Sequence, residues 1–407
     1  MRRQCESKGI AATANAVAGL VYSSSISHTG FLFAMRLSYR YRLNPTSAQR
    51  TALNATLDAC RWVYNNTLAT RKEAWEQRQE SVSKYDTVKM LPAWKAQHEW
   101  LQQAYSQTLQ EVCNRVDLAF QHFFRRVKAG EKEAVPGGNP PRFRGKGWYD
   151  SFTFPQHESG WRLEGDRLRI FKVGRVKIKL HRPIEGEIKT LTIRRDTLGH
   201  WYACFSCEVE WIAPDPSPLV VGIDMGLEKF ATLSTGAMID NPRFFRLDEK
   251  ALAKAQRKLS ALPKGTKERS KAKRVVQHIH ARVANRRKDF AHKLSRYLAD
   301  VFQVVVFEYL NTKGMMKLHS LAKSIGDAAW NQLIQYTTYK AESAGRSVVL
   351  VDPRYTSQDC SRCGNRKKKA LSERVHRCGK CGLEMDRDLN ASLNILTRGL
   401  ACVGLAP

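Results

Sequence analysis

Residues 355–396 read YTSQDCSRCGNRKKKALSERVHRCGKCGLEMDRDLNASLNIL, a segment that combines two C-x-x-C pairs with an acidic helix start. Fourteen residues separate Cys360 and Cys363 from Cys378 and Cys381, the spacing of a four-thiolate zinc ribbon. Four sulfurs close a tetrahedral sphere and leave no position for water or substrate, so one structural Zn²⁺ is expected. Gly364, Gly379 and Gly382 beside the pairs fit turns, not an apolar core. Beyond the ribbon, DRDLNASLNIL opens a helix with Asp386 and Asp388 at its start, where the helix dipole favours a carboxylate. Residues two apart on a helix do not share a face, so only one of the pair is expected to face a given site.

Upstream lie the strands this ribbon interrupts. SVVLVDP at 347–353 reads as a buried strand, residues 326–343 as one helix, and QVVVFE at 303–308 as a strand ending in Glu308. Residues 245–300 read as two strongly basic helices joined at Pro263 to Gly265, with positive charge far in excess of negative, the pattern of polyanion contact. LVVGIDMG at 219–226 opens this half with Asp224 inside an apolar run, where an unpaired carboxylate would be costly and a cation is expected to meet it. The order hairpin, helices, strand, helix, strand, helix is that of an RNase H-like fold, whose sheet can gather distant carboxylates. Asp224, Glu308 and Asp388 are then candidate ligands for two Mg²⁺ ions, with Asp224 bridging. Such a pair, roughly 3.5–4 Å apart, activates water and neutralises phosphate charge in phosphodiester hydrolysis.

The N-terminal half carries different patterns. RLSYRYRLNP after Met35 alternates as a strand, and Thr46 with Gln49 forms a T-x-x-Q capping box. Leu53, Leu57, Cys60, Tyr64 and Leu68, and later Leu109, Val112, Val116, Phe120, Phe123 and Val127, recur at helical spacing and predict a bundle with these side chains inside. AVPGGNPPRFRGKG at 134–147 is a turn-rich loop with Arg142, Arg144 and Lys146 around Phe143, candidate backbone-gripping residues. From 151 to 211 the period becomes two, with Leu168, Ile170, Val176, Ile178 and Leu180 facing one way and basic residues the other. This predicts a β-barrel-like domain that the strand at 36–43 joins, the bundle being inserted between them. Cys204 and Cys207 fall in this alternation on opposite faces and are not expected to share a metal.

With 68 Lys and Arg against 38 Asp and Glu, the 407-residue chain has a formal charge of +30, which calls for a nucleic acid partner. No apolar run of 18 residues is present, so a membrane partner is not expected. Cys5, Cys60, Cys113, Cys204, Cys207 and Cys402 are scattered, which points to a reducing cytoplasm and not to a disulfide framework. The first 34 residues read as a disordered extension, or as an upstream start preceding Met35.

Taken together, GIDMG, NRRKDFAHKLS, FEYL, YTSQDCSRCG, CGKCG and DRDLNASLNI resemble the TnpB family of insertion-sequence proteins, similar to the ancestors of type V CRISPR effectors. YRYRLNPTSAQ and PRFRGKG extend the resemblance to nearly the whole chain after Met35. It implies a RuvC-like nuclease guided by a noncoding RNA from the transposon end to double-stranded DNA beside a short motif. By motif position it places the catalytic acids on Asp224, Glu308 and Asp388, and Arg286, Arg287 and Lys293 of the basic hairpin join the loop cations as candidate nucleic-acid contacts. The implied divisions are a 1–34 extension, a wedge-like β domain at 35–45 and 129–213, and a helical recognition bundle at 46–128. The nuclease occupies 217–354 and 386–400 with its hairpin at about 245–300, the ribbon 355–385, and a tail 401–407. A single copy in a ribonucleoprotein, working in a prokaryotic cytoplasm on nucleoid DNA, is expected. A catalytically silent RNA-guided DNA-binding regulator and a strand-transferring transposase stay open as alternatives.

Overall fold

A computed structural model describes residues 33–129, 140–211, 214–370 and 373–404, in two compact units, Leu32–Trp211 and Ile212–Pro407. The expected N-terminal extension, the part of the turn-rich loop before Pro140 and the end of the tail lie outside the described residues.

In the first unit, seven described strands form one antiparallel sheet. They are β1 (Phe33–Asn44), β2 (Ser151–Phe154), β3 (Trp161–Glu164), β4 (Arg167–Ile170), β5 (Gly174–Lys179), β6 (Glu187–Arg195) and β7 (Trp201–Trp211), in the order β2-β6-β7-β1-β5-β4-β3. Leu168, Ile170, Val176 and Ile178 are buried as their alternation predicts, whereas Leu180 lies just past β5 and is exposed. The Trp161 ring on β3 lies 5.7 Å from that of Phe205 on β7, four strands away. A flat sheet would separate them by roughly 19 Å at its usual strand spacing, so this sheet curls into a nearly closed barrel.

Between β1 and β2 the chain forms helices α1 (Ser47–Arg78), α2 (Lys84–Gln97) and α3 (Ser106–Lys128). The Thr46 hydroxyl accepts from the Gln49 amide and the Gln49 side chain from that of Thr46, completing the expected capping box. Leu53, Leu57, Cys60, Tyr64 and Leu68 of α1 and Leu109, Val112 and Val116 of α3 share the core of the barrel. Toward the end of α3 the stripe leaves that core, and Val127 is exposed.

The second unit is built on a mixed sheet. Its described strands are β8 (Val220–Met225), β9 (Lys229–Leu233), β10 (Met238–Asp240), β11 (Val304–Glu308) and β12 (Ser347–Val351), ordered β10-β9-β8-β11-β12. β11 runs parallel to both β8 and β12, while β9 is antiparallel to β8 and β10 to β9. The basic hairpin is α4 (Phe244–Ala261) and α5 (Lys267–Val301). A short α6 (Thr312–Met315), α7 (His319–Ala328) and α8 (Trp330–Ser343) follow β11. The single helix expected over 326–343 is therefore two: Ala329 adopts a left-handed φ of 53°, the turn at which buried Trp330 starts the next helix. After β12 come the short antiparallel β13 (Val375–Arg377) and β14 (Glu384–Asp386), then α9 (Arg387–Cys402).

The two faces of this sheet bury different partners. Val221, Ile223, Val305 and Phe307 pack with Leu298 and Phe302 of the α5 end and Trp330 and Leu333 of α8. Val304, Val306 and Val351 pack with Ile395 of α9 on the other face. Side chains alternate along a strand, so Gly222 and Asp224 on β8, and Val306 and Glu308 on β11, belong to the α9 face.

Candidate active site

Register brings the first two carboxylates together. Val306 pairs with Gly222 and Phe307 with Ile223, so the next step sets Glu308 beside Asp224 on neighbouring parallel strands, at their carboxyl ends. The third comes from α9. A Cβ on Gly222 would stand 2.2 Å from the Ser392 carbonyl oxygen and 2.6 Å from the Leu396 nitrogen, and one on Gly399 would stand 2.3 Å from Val306 Cγ2. Glycine at both places lets helix and sheet meet backbone to side chain. From that contact Asp224 lies two residues, roughly 6.6 Å, along β8, and Asp388 four residues, roughly 6 Å, back along α9. The helix start thus arrives at the strand ends.

Electrostatics record the same convergence. Burial holds the Asp224 carboxyl well above the usual range, Glu308 and Asp388 push it further, Arg387 offsets part of the shift, and Asp386 adds to it. Glu308, 5% exposed, is pushed up to about 7 by burial, against the lowering effects of the Thr356 hydroxyl and Arg398. Asp388 Oδ1 accepts from Arg387 Nε at 3.1 Å and forms an ion pair with Nη2 at 3.0 Å. Asp386 turns out to be the N-cap of α9, its Oδ1 accepting from the amides of Asp388 and Leu389 at 2.9 Å each. Because it ends β14 and is not yet helical, the helical-spacing argument does not separate it from Asp388, and both charges are felt at Asp224.

Cys360, Cys363, Cys378 and Cys381 bring their Sγ atoms within 4.8 Å of one another, with Cys360–Cys381 at 3.6 Å and Cys363–Cys378 at 3.5 Å. A tetrahedral ion with bonds of about 2.3 Å requires sulfurs roughly 3.8 Å apart, so the cluster fits a metal centre. Amides of Cys381 and Lys380 draw the Cys378 thiol down to about 6, toward the thiolate a metal needs, while burial and hydrogen bonds to the other three sulfurs push Cys381 up to about 12. Among the described residues no other three or more Cys, His, Asp or Glu side chains bring their ligand atoms within 4.8 Å of one another, so Asp224, Glu308 and Asp388 are neighbours without forming a closed cage, and Cys204 and Cys207 join no cluster.

The ribbon is fastened to α9 by one stripe of that helix. Asn390 Nδ2 donates to Asp359 O at 2.8 Å, and Asn394 Nδ2 to the carbonyls of Thr356 and Asp359 at 2.8 and 2.7 Å. Arg398 reaches the carbonyls of Asp352 and Arg354 and, at 3.1 Å, Asp359 Oδ2. Spacing of four on a helix explains this shared face, which the sequence N-x-x-x-N-x-x-x-R encodes.

Comparison with known proteins gives three matches to family models: residues 35–80 to "Helix-turn-helix domain", 204–319 to "Probable transposase" (OrfB of IS605) and 330–395 to "Cas12f1-like, TNB domain". A protein of Streptomyces pristinaespiralis named "Putative RNA-guided DNA endonuclease" is 37% identical over 375 residues, 90% of each chain. The chain belongs to the TnpB family. Its relative in Escherichia coli strain K12, "Putative RNA-guided DNA endonuclease InsQ", is 31% identical across 90% of this chain and 93% of its own. A cryo-EM structure titled as a Cas12f1–sgRNA–target DNA complex shares the fold, with a TM-score of 0.54 at 12% identity, covering 89% of this chain and 98% of that one. In this TnpB-family chain the segment matched as helix-turn-helix is β1 and the single long α1.

The six candidate nucleic-acid cations fall into two groups. Arg142, Arg144 and Lys146 are exposed, and Asn65 grips the Arg144 backbone, donating to its carbonyl at 3.0 Å and accepting from its amide at 2.7 Å. Lys293 is also exposed, 2.7 Å from Asp289. Arg286 instead meets buried Asp248 at 3.0 Å, and Arg287 meets buried Asp327 at 2.8 Å, where Asp327 also accepts from the Phe245 amide at the start of α4. These two guanidiniums hold α5 against α4 and α7.

Proposed function

We propose that this chain is an RNA-guided endonuclease that hydrolyses double-stranded DNA, with Asp224, Glu308 and Asp388 as the metal-holding acids of an RNase H-like, RuvC-type site. The convergence of these carboxylates at the carboxyl ends of β8 and β11 carries the reading, because burial disfavours the charged forms of Asp224 and Glu308, and repulsion from Glu308 and Asp388 adds to it at Asp224, unless cations join them. Carboxylate oxygens are the donors Mg²⁺ requires, and two such ions would supply an activated water, a stabilised leaving oxygen and charge neutralisation at the scissile phosphate. Asp224, on which both other acids act, would be the residue shared between the two ions. Arg387 orients Asp388 through a two-nitrogen contact, and the cap made by Asp386 fixes the helix start that carries it.

Zn²⁺ in the four-cysteine cluster is the structural metal of this reading, and its thiolates leave no open position for chemistry. Guide RNA and target DNA account for the +30 charge. Base pairing reads the sequence, while the protein recognises a short adjacent motif and the shape of the heteroduplex. Presence of all three acids favours cleavage over silent DNA binding. Among the described residues no helix is long and apolar enough to cross a membrane, in keeping with action on nucleoid DNA.

The test is to co-express the protein with its transposon-end RNA, sequence the RNA that co-purifies, and incubate the complex with Mg²⁺ and matched plasmids bearing randomised flanks. A specific RNA and linearised plasmid are expected. Protein free of RNA that leaves every plasmid intact would overturn the proposal.

A further inference from the structure

Glu308 ends β11 almost entirely out of solvent, and one side chain from outside the sheet grips it: the hydroxyl of Thr356, 2.5 Å from Glu308 Oε1. Thr356 is itself 4% exposed, and its hydroxyl also stands 3.0 Å from the Pro353 carbonyl. With one proton and two acceptors, the hydroxyl donates to Glu308 when that carboxylate is ionised, the form a cation would bind.

The surroundings fix Thr356 from several sides. Tyr355 before it adopts a left-handed φ of 67°, a conformation unusual for a tyrosine, at the bend that carries Thr356 inward. The Arg366 guanidinium covers the Tyr355 ring at 3.7 Å and is held by Asp359 at 2.6 Å. The Thr356 carbonyl accepts from Asn394 of α9, and the same amide donates to Asp359, the residue before Cys360. The segment Thr356–Cys360 therefore joins the four-cysteine centre, the helix bearing Asp388 and the strand bearing Glu308.

We propose that Thr356 is the positioning residue for Glu308, through which the folded four-cysteine module sets the geometry of the carboxylate site. The inference rests on the metal-site reading above. Fixing Oε1 selects one rotamer of Glu308 and keeps its second oxygen oriented, the role that outer partners of metal-binding carboxylates play.

The experiment titrates Mn²⁺ into the full-length ribonucleoprotein and follows free Mn²⁺ by electron paramagnetic resonance, counting only the binding that Asp224→Ala removes, which sets aside ions on RNA. Thr356→Val is expected to weaken that binding about tenfold or more, and Thr356→Ser, which keeps the hydroxyl, to restore it to within about threefold of wild type. Wild-type Mn²⁺ affinity in a folded Thr356→Val protein would overturn the inference. Should the valine variant not fold, Thr356→Cys, a weak donor of similar size, is compared with Thr356→Ser: weaker binding in the cysteine variant supports the inference and equal binding overturns it. Indistinguishable Mn²⁺ binding by wild type and Asp224→Ala would instead overturn the metal site itself, and this inference with it.

Discussion

Replacing Gly222 by alanine is the smallest change that should disable the site without touching an acidic residue. The added Cβ would stand 2.2 Å from the Ser392 carbonyl oxygen and 2.6 Å from the Leu396 nitrogen, both backbone atoms with no rotamer to escape through. Ordinary contact needs about 1 Å more, so α9 must move off the sheet by about that distance. Overpacking of this kind costs about 1–3 kcal/mol, and each kcal/mol lowers Tm by roughly 2–4 °C in a unit of this size. The larger effect is on chemistry, because α9 carries Asp388, and misplacement by 1 Å costs about 100-fold in rate. Thermal denaturation and single-turnover plasmid cleavage measure the two. Gly399→Ala, whose Cβ would meet Val306 from the other side of the same contact, should behave alike. Gly326→Ala, with nothing within 4 Å and a helical backbone, should be neutral or slightly stabilising. Gly222→Ala with wild-type Tm and wild-type cleavage would refute the close-packed placement of α9.

Three further outcomes are expected. Arg287→Ala leaves buried Asp327 unpaired and should destabilise the second unit by about 3 kcal/mol, the low end for a buried pair because Arg287 is partly exposed, whereas Lys146→Ala should leave Tm unchanged and lower the salt slope of nucleic-acid binding by about 1; both are read by denaturation and by filter binding at varied salt. Glu308, raised from 4.5 to about 7, holds more protons folded than unfolded, so in metal-free protein its contribution is intact below pH 4.5 and lost as pH rises through 7. That shift bounds the loss at about 3 kcal/mol, and Mg²⁺ should raise Tm more at pH 8 than at pH 5.5. Cys378→Ser should remove about one zinc per chain by metal analysis and expose the 355–402 region to limited proteolysis.

How much the sequence disclosed depended on the range over which each signal acts. Two C-x-x-C pairs, the Thr46–Gln49 capping box and the alternation through Leu168 to Ile178 are local, and the folded chain displays each of them. Asp224, Glu308 and Asp388 stood out as acids in apolar or helix-start positions, and register and packing bring them together. Tertiary features left no local mark. Gly222 is only one glycine in an apolar run, yet its role is to admit Ser392, 170 residues away. Thr356 is an ordinary threonine until its contact with Glu308 is seen, and the stripe of Asn390, Asn394 and Arg398 reads as a solvated face until its contacts with residues 352–359 are seen. The ion pairs of Arg286 with Asp248 and of Arg287 with Asp327 left no local mark because these partners lie 38 and 40 residues off in opposite directions. Ala329 breaks a sequence rich in helix formers because burying Trp330 outweighs local propensity.

Cleavage of a matched plasmid by the ribonucleoprotein, compared for Asp224→Ala, Glu308→Ala and Asp388→Ala under saturating Mg²⁺, bears most directly on a single shared metal site. Each variant is expected to lose cleavage by about 1,000-fold or more while binding guide RNA and target DNA as the wild type does. Cutting at the wild-type rate by any one of them would contradict its place among the metal-holding acids.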